Sequence, residues 1–536
     1  MMAVQWERWK ESNWLIYSVL LFAAVYLAFI AFSIHQGIFY AGDQGIKSLQ
    51  VEQIAKGYGF KYLHLPQPEW VRTIWQDGFS PLREPTFYRS AAGYVIVYPP
   101  AFQIISAWLF EKWGTAGLYI IPMSSTVILL VWLVSLLKRC GVLPVMTAFA
   151  LFLLVFCSPL ALYGVMFWEH LPAVMLLFAG VAFIARPQRS AARAAGLGLV
   201  SGLAVFLRPE ALAMDGLYGT AVALVYFVQR RRPDAARLFG KAPVIAFLTG
   251  MALPVMAFFA FNKAEYGAIL GAHGKQLFTD TDPDTLLSWR HGLRNLWMNN
   301  YLSTRHFLFV LFLIPLVIRA ILTRRLTDIR PVLLAGIVIV YSLATPWVLP
   351  NDGVVQWGAR YFLPIIPVTL VALFLATKHW PQWEWNRLSV WRWNRFPVWL
   401  SGLAVVFTVY CFYHNTHGGG YKEVRWRYNQ RLTKVYRLVD SRPGNVVIVS
   451  HHWMINDFAY LFDKDYFFAA SNNDSLRRLL PLLKANGVHK YIFIFDPRVP
   501  SLPTMLRDST TNHWWNERAR NVYVKQDYAA KVFAIQ

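Results

Sequence analysis

The chain has 536 residues, of which 56% are hydrophobic and only 15% charged, with 23 Trp, 26 Tyr and 38 Phe. Its apolar residues come in blocks near the roughly 20 needed to cross a bilayer, which excludes an ordinary soluble domain and marks a polytopic α-helical membrane protein. The formal charge of +23 is carried by Lys and Arg at the ends of those blocks, a pattern of membrane topology and anionic headgroups instead of nucleic acid.

The first apolar block, Trp14 to Ile34, is too long for a signal-peptide core and has no small-residue cleavage site, so it is expected to stay as the first span. A polar segment follows from His35 to Tyr98. It opens with IFYAGDQGIKSLQVEQIAKG, Ile38 to Gly57, in which Asp43 sits between two glycines and beside Lys47. YPPAFQIISAWLFEKWG, Tyr98 to Gly114, reads as an amphipathic interfacial helix whose early prolines occupy the first turn, where amides lack helical partners anyway.

Ten further spans are predicted: Leu118 to Leu137, Leu143 to Leu160, Leu171 to Ala185, Ala194 to Leu207, Ala211 to Val228, Pro243 to Phe261, Phe307 to Leu322, Val332 to Val348, Tyr361 to Ala376 and Pro397 to Tyr413. Alternate gaps between them carry the basic residues, from Lys138 and Arg139 through Arg186, Arg230 and Arg330 to Arg392 and Arg395. With Arg8 and Lys10 these place the N-terminus in the cytoplasm of what reads as a bacterial inner membrane. Eleven spans then put the 35–98, 262–305 and 350–360 loops and the C-terminal tail outside. Were Tyr98 to Gly114 a span, the basic gaps would face outward.

From Asn415 the texture changes. Strand-like NVVIVSH, DYFFAA and KYIFIFD, with the helical SLRRLLPLLKANG among them, predict a small exoplasmic α/β domain over 415–536, distinct from a membrane module over 1–414. The cysteines Cys140, Cys157 and Cys411 lie in or beside apolar runs and offer neither a disulfide framework nor a CxxC metal site.

Four constellations carry the polar chemistry at the outer rim, where ionisable groups tend to mark function. GDQGIK supplies Asp43 and Lys47, and on local sequence alone an Asp between glycines is as well explained by a helix N-cap or turn. FWEHLPA supplies Glu169 and His170, which also fit a membrane-edge anchor. FLRPEALAMD supplies Arg208 and Glu210 in a turn too short to leave the hydrocarbon border, where the two can pair with each other, and Asp215 deeper in, where a carboxylate needs a partner. LPNDGVVQWGARYFLPIIP supplies Gln356, Arg360 and Tyr361, with Asn351, Asp352 and Trp357 beside them. A guanidinium there suits a phosphate, to which it donates two parallel charge-assisted hydrogen bonds.

These segments, with FNKAEYGAILG at the end of the seventh span, resemble in order and membrane side the GT-C superfamily of integral-membrane glycosyltransferases, which includes protein O-mannosyltransferases and aminoarabinose transferases. The resemblance runs from the first span to the tenth. It implies transfer of a sugar from a polyprenyl-phosphate donor to a glycan, lipid or protein acceptor on the outer face, with inversion, and it matches the family's first-loop acid to Asp43. Metal-dependent members usually show a second carboxylate there, whereas this chain has Gln44. No resident cofactor is otherwise called for, and a divalent metal departs from the pattern.

The chemistry follows independently. The attack of an acceptor hydroxyl needs a base, assigned to Asp43, and a departing phosphate needs fixed positive charge, assigned to Arg360 with Arg208 and Lys47 in reserve. Glu169, His170, Glu210, Gln356 and Tyr361 complete the substrate-binding set. A transporter or flippase would instead place its charges near the membrane midplane within repeated halves. A non-catalytic assembly subunit of the same fold is the other alternative, since only one clear carboxylate is present.

Overall fold

A computed structural model describes residues 13–33, 42–65, 67–83, 86–186, 190–230, 238–272, 307–323, 328–348, 360–377, 396–417, 420–422, 433–440, 444–495 and 529–535. Gln356 and most of the 262–305 and 350–360 loops fall outside them. The chain divides into two compact units. The first holds 1–32, 119–353 and 357–422, and the second holds 33–118, 354–356 and 423–536.

The first unit is a bundle of apolar helices: α1 (Trp14–Ser33), α2 (Ile120–Arg139), α3 (Pro144–Phe156), α4 (His170–Ala185), α5 (Ala191–Gly202), α6 (Ala211–Arg230), α7 (Lys241–Tyr266), α8 (Leu313–Thr323), α9 (Arg330–Val348), α10 (Ile365–Thr377) and α11 (Phe396–Asn415). The periphery is apolar outward. On α1 only Ile16, Ala23, Leu27 and Ile30 are buried, on one face, while Phe22 and Phe32 stand 67% and 91% exposed. A helix that shows such side chains outward is built for lipid.

Among the described residues four helical stretches are long and apolar enough to cross a membrane, Trp14–Ser33, Ala101–Arg139, Ala211–Arg230 and Lys241–Tyr266. Six shorter apolar helices accompany them. The four and the six make ten, and the expectation of eleven crossings adds α11, Phe396–Asn415; the chain is an integral membrane protein on the four alone. Ala101–Arg139 is broken at Gly114, whose φ of 57° ends the helix Ala101–Trp113. The segment 98–114 is thus separate from α2.

At the centre, α4 is apolar all round and almost wholly buried, as is α10. One end of α4 is tied to basic residues: Arg330 donates to the Ala185 carbonyl at 2.8 Å, and Cys140, which follows Lys138 and Arg139, reaches the same carbonyl. Elsewhere α5 and α7 pack backbone to backbone. Gly198 and Gly202, four residues apart, face the Phe247 and Met251 carbonyls, and Gly250 faces that of Ala195, so a Cβ at any of the three would clash. This is the small-residue seam that lets membrane helices approach without a hydrophobic driving force.

The second unit joins the segment after α1 to the C-terminal residues. Its elements include helix Gly42–Ala55, an antiparallel hairpin of β1 (Phe87–Ser90) and β2 (Gly93–Ile96), helix Ala101–Trp113, helix Asn473–Ala485, and a four-stranded sheet of β3 (Val446–Val449), β4 (Tyr466–Ala469), β5 (Lys490–Phe495) and β6 (Ala529–Ala534). Sheet order is β4-β3-β5-β6, with β3 parallel to both β4 and β5 and β6 antiparallel at the edge. Long-range bonds close the unit: Trp75 Nε1 donates to the Phe467 carbonyl at 2.9 Å, Gln67 Nε2 to that of Phe462 at 2.8 Å, and Lys56 pairs with Asp463 at 2.6 Å.

Candidate active site

Arg208 is the hub of a polar cluster in the first unit. It follows the last turn of helix Ala204–Leu207, where the chain must reverse within three residues to start α6. Its Nη1 donates to Glu169 Oε1 at 3.1 Å and lies 2.9 Å from His170 Nε2, while its Nη2 donates to Glu210 Oε1 at 2.7 Å. A guanidinium has only donors, so His170 Nε2 accepts and the ring proton resides on Nδ1. Burial opposes the charge of Arg208, but the Glu210 and Glu169 carboxylates outweigh it and hold the guanidinium above its ordinary pKa; Arg360 works in the other direction.

Arg360 and Tyr361 reach the same place from the three-residue 3-10 turn Arg360–Phe362 that precedes α10. Arg360 Nη2 donates to the Tyr361 hydroxyl at 2.9 Å, and the Tyr361 ring has the Arg360 Cζ 4.9 Å and the Arg208 Cζ 5.9 Å from its centroid. Cations over a phenol ring are attracted by its quadrupole, so one ring serves two guanidiniums that repel each other. Behind Glu169 and His170 stands an aromatic wall: Tyr163 stacks on Trp168 at 4.9 Å, and the His170 ring is 5.2 Å from Trp168. Two carboxylates and two guanidiniums thus meet in a site where burial is severe, with Glu169 and His170 both 4% exposed.

Six of the nine sequence-predicted residues, Glu169, His170, Arg208, Glu210, Arg360 and Tyr361, therefore come together from three separate turns. Asp215 is not among them. It is buried one turn into α6 and takes a hydrogen bond from Ser201 on α5.

Asp43 and Lys47 belong to the second unit. Both lie on helix Gly42–Ala55, Asp43 in its first turn, where the helix dipole favours a carboxylate. They are buried, at 6% and 1% exposure, and the Lys47 ammonium lies 4.6 Å from the centroid of the Tyr98 ring. The helix is polar in composition yet buried, because its glutamines act as partners for the backbone that follows. Gln53 Nε2 donates to the Gly59 and Tyr62 carbonyls and its Oε1 accepts from His64 N; Gln50 Nε2 donates to the Phe60 carbonyl. Gly45, two residues from Asp43, faces the Asn456 carbonyl so closely that no Cβ fits. Among the described residues no group of three or more His, Cys, Asp or Glu side chains is gathered to hold a metal ion.

Sequence reasoning missed Tyr341. This residue of α9 is 4% exposed and donates to the Tyr361 carbonyl at 3.0 Å. The one available signal was a tyrosine within an apolar run, which reads equally well as core.

No protein-family model and no curated relative matches the sequence. Solved structures do match in fold. ArnT from Cupriavidus metallidurans bound to undecaprenyl phosphate superposes with a TM-score of 0.54 at 13% identity, over 96% of this chain and 97% of that one. The same protein in the apo state gives 0.51 at 13% identity, over 89% and 93%. The Archaeoglobus fulgidus oligosaccharyltransferase in the apo form gives 0.51 at 13% identity, over 91% of this chain and 70% of that one. At 13% identity these matches show a shared fold, and ArnT and the oligosaccharyltransferase have the GT-C fold to which the sequence resemblance pointed.

Proposed function

We propose that the protein is a glycosyltransferase that moves a sugar from a polyprenyl-phosphate donor to an acceptor hydroxyl on the outer face of the membrane, with inversion at the anomeric carbon. The observation that carries this reading is the Arg208 cluster, in which charges that are costly at the edge of an apolar bundle are assembled from three turns around one tyrosine. The shared fold with a protein solved bound to undecaprenyl phosphate supports the class of donor.

In the proposed reaction the acceptor oxygen attacks the anomeric carbon as the bond from that carbon to the phosphate oxygen breaks. The prenyl phosphate departs with the bonding electron pair, and the hydroxyl proton passes to Asp43. A phosphate diester leaves as a monoester, which calls for charge stabilisation more than for protonation. Preorganised guanidinium supplies that at no reorganisation cost. Arg360 is the first phosphate ligand in this scheme. Arg208 is already committed to two carboxylates, which makes it the fixed post that orients Glu169, His170 and Glu210, and Lys47 is held in reserve on the helix that bears the base. Gln356 completes the proposed binding set.

The orientation follows the basic ends of the helices. Lys138, Arg139, Arg186 and Arg330 adjoin the Cys140–Ala185–Arg330 end of α4, and the Arg208 cluster adjoins the other. The positive-inside rule then puts the cluster outward.

The test is Asp43→Asn. It is expected to insert and fold as the wild type does and to lose sugar transfer by about a hundredfold or more, the scale of a missing general base. Transfer at near wild-type rate from correctly inserted protein would remove Asp43 from the mechanism.

A further inference from the structure

We infer that Tyr341 is a positioning residue for the Arg360 guanidinium, acting through the backbone of Tyr361. The inference rests on the phosphate-binding role proposed for Arg360 and extends the site to a residue of α9 that touches no substrate.

Arg360, Tyr361 and Phe362 form a single 3-10 turn, and Tyr361 is its middle residue. A turn this short has little hydrogen bonding of its own to fix its setting. Tyr341 provides an external anchor by donating its phenolic proton to the Tyr361 carbonyl, at 3.0 Å in a buried setting. Tyr341 is in turn held to the outer part of α9, and Thr345 on the next turn donates back to the Tyr341 carbonyl at 2.6 Å. The electrostatic neighbours of the phenol include Glu210, Arg208 and Tyr361, so it stands at the edge of the cluster.

Rotation of the turn would move three things together: the Arg360 fork, the Tyr361 hydroxyl it donates to and the ring between the two guanidiniums. Bidentate recognition of a phosphate depends on the direction of the fork as well as on its charge. Losing the anchor therefore degrades phosphate binding while leaving every charge in place.

The experiment is a double-mutant cycle on the full-length protein in detergent, with undecaprenyl phosphate as the probe and Kd per folded molecule as the readout. Tyr341→Phe is expected to weaken binding about fivefold in the wild-type background, the scale of one buried hydrogen bond, and less than about twofold in an Arg360→Ala background. A merely structural tyrosine would lower the thermal midpoint and leave Kd alone, and that result overturns the inference. An equal loss in both backgrounds also overturns it, because Tyr341 would then act independently of Arg360. If Arg360→Ala weakens binding and Tyr341→Phe does not, only the role of Tyr341 fails. If Arg360→Ala itself leaves Kd unchanged, the phosphate assignment of Arg360 fails first and the inference falls with it.

Discussion

The Arg208 guanidinium donates to the Glu169 carboxylate at 3.1 Å although the two residues stand 39 apart in the chain, one before α4 and the other between α5 and α6. The same Arg208 holds Glu210 at 2.7 Å. Removing it leaves two largely buried carboxylates without their shared cation, an error that typically costs about 3–5 kcal/mol. Arg208→Ala should therefore drop the thermal midpoint of the purified protein far more than Arg208→Lys, which keeps the charge but not the fork. A midpoint for Arg208→Ala equal to that of the wild type would show that the cluster is not structural.

Gly45 and Gly216 make a contrasting pair. A methyl at Gly45 would run into the Asn456 carbonyl and displace the helix that bears Asp43, whereas a Cβ at Gly216 on α6 meets nothing. On the base role proposed for Asp43, Gly45→Ala is expected to cut sugar transfer by about tenfold or more, since small misplacements of a reacting group are amplified in rate. Gly216→Ala should leave transfer intact and add about 1 kcal/mol of stability through helix propensity. Matching activities for the two variants would separate the Gly45 contact from catalysis.

Asp465, in the second unit, is 2% exposed and accepts from the Asn445 backbone amide at 2.9 Å. Burial pushes its carboxyl up to about 6 from an ordinary 3.8, with the Asn445 and Gly444 amides pulling the other way. The folded state thus holds this proton longer than the unfolded state does. Between the two values the folded state binds more protons, so this group's contribution to stability falls as pH rises from about 4 to about 6. Asp465→Asn, neutral throughout, should flatten that part of the pH profile of the thermal midpoint. An unchanged slope would assign the pH dependence to other groups.

Much of the Arg208 cluster was legible because charge at the edge of an apolar block is costly and stands out. Glu169, Arg208 and Arg360 each follow or precede a hydrophobic run, and that alone singled them out. Tyr341 was not legible, because an aromatic inside a span is unremarkable until its hydroxyl is seen to meet a backbone carbonyl. Nor was the union of the first loop with the C-terminal sheet. Gln67 with Phe462 and Trp75 with Phe467 lie nearly 400 residues apart, and no periodicity encodes a partner at that distance. Nor does the polar composition of helix Gly42–Ala55 show that Gln50 and Gln53 are spent on neighbouring carbonyls.

The length of α4 sets the depth of the chemistry. Its sixteen residues rise about 24 Å at 1.5 Å each, against a hydrocarbon core of about 30 Å. With its basic end at one surface, the Glu169 end falls several ångströms short of the opposite headgroups. In the proposed orientation the charged nest would be a well sunk into the acyl layer, and the proposed prenyl-phosphate donor would have to dip its phosphate below the level at which phosphates ordinarily float. Thick, sterol-like or long-chain bilayers would deepen that well and thin ones would raise its floor, so that membrane thickness would act as a dial on the proposed sugar transfer.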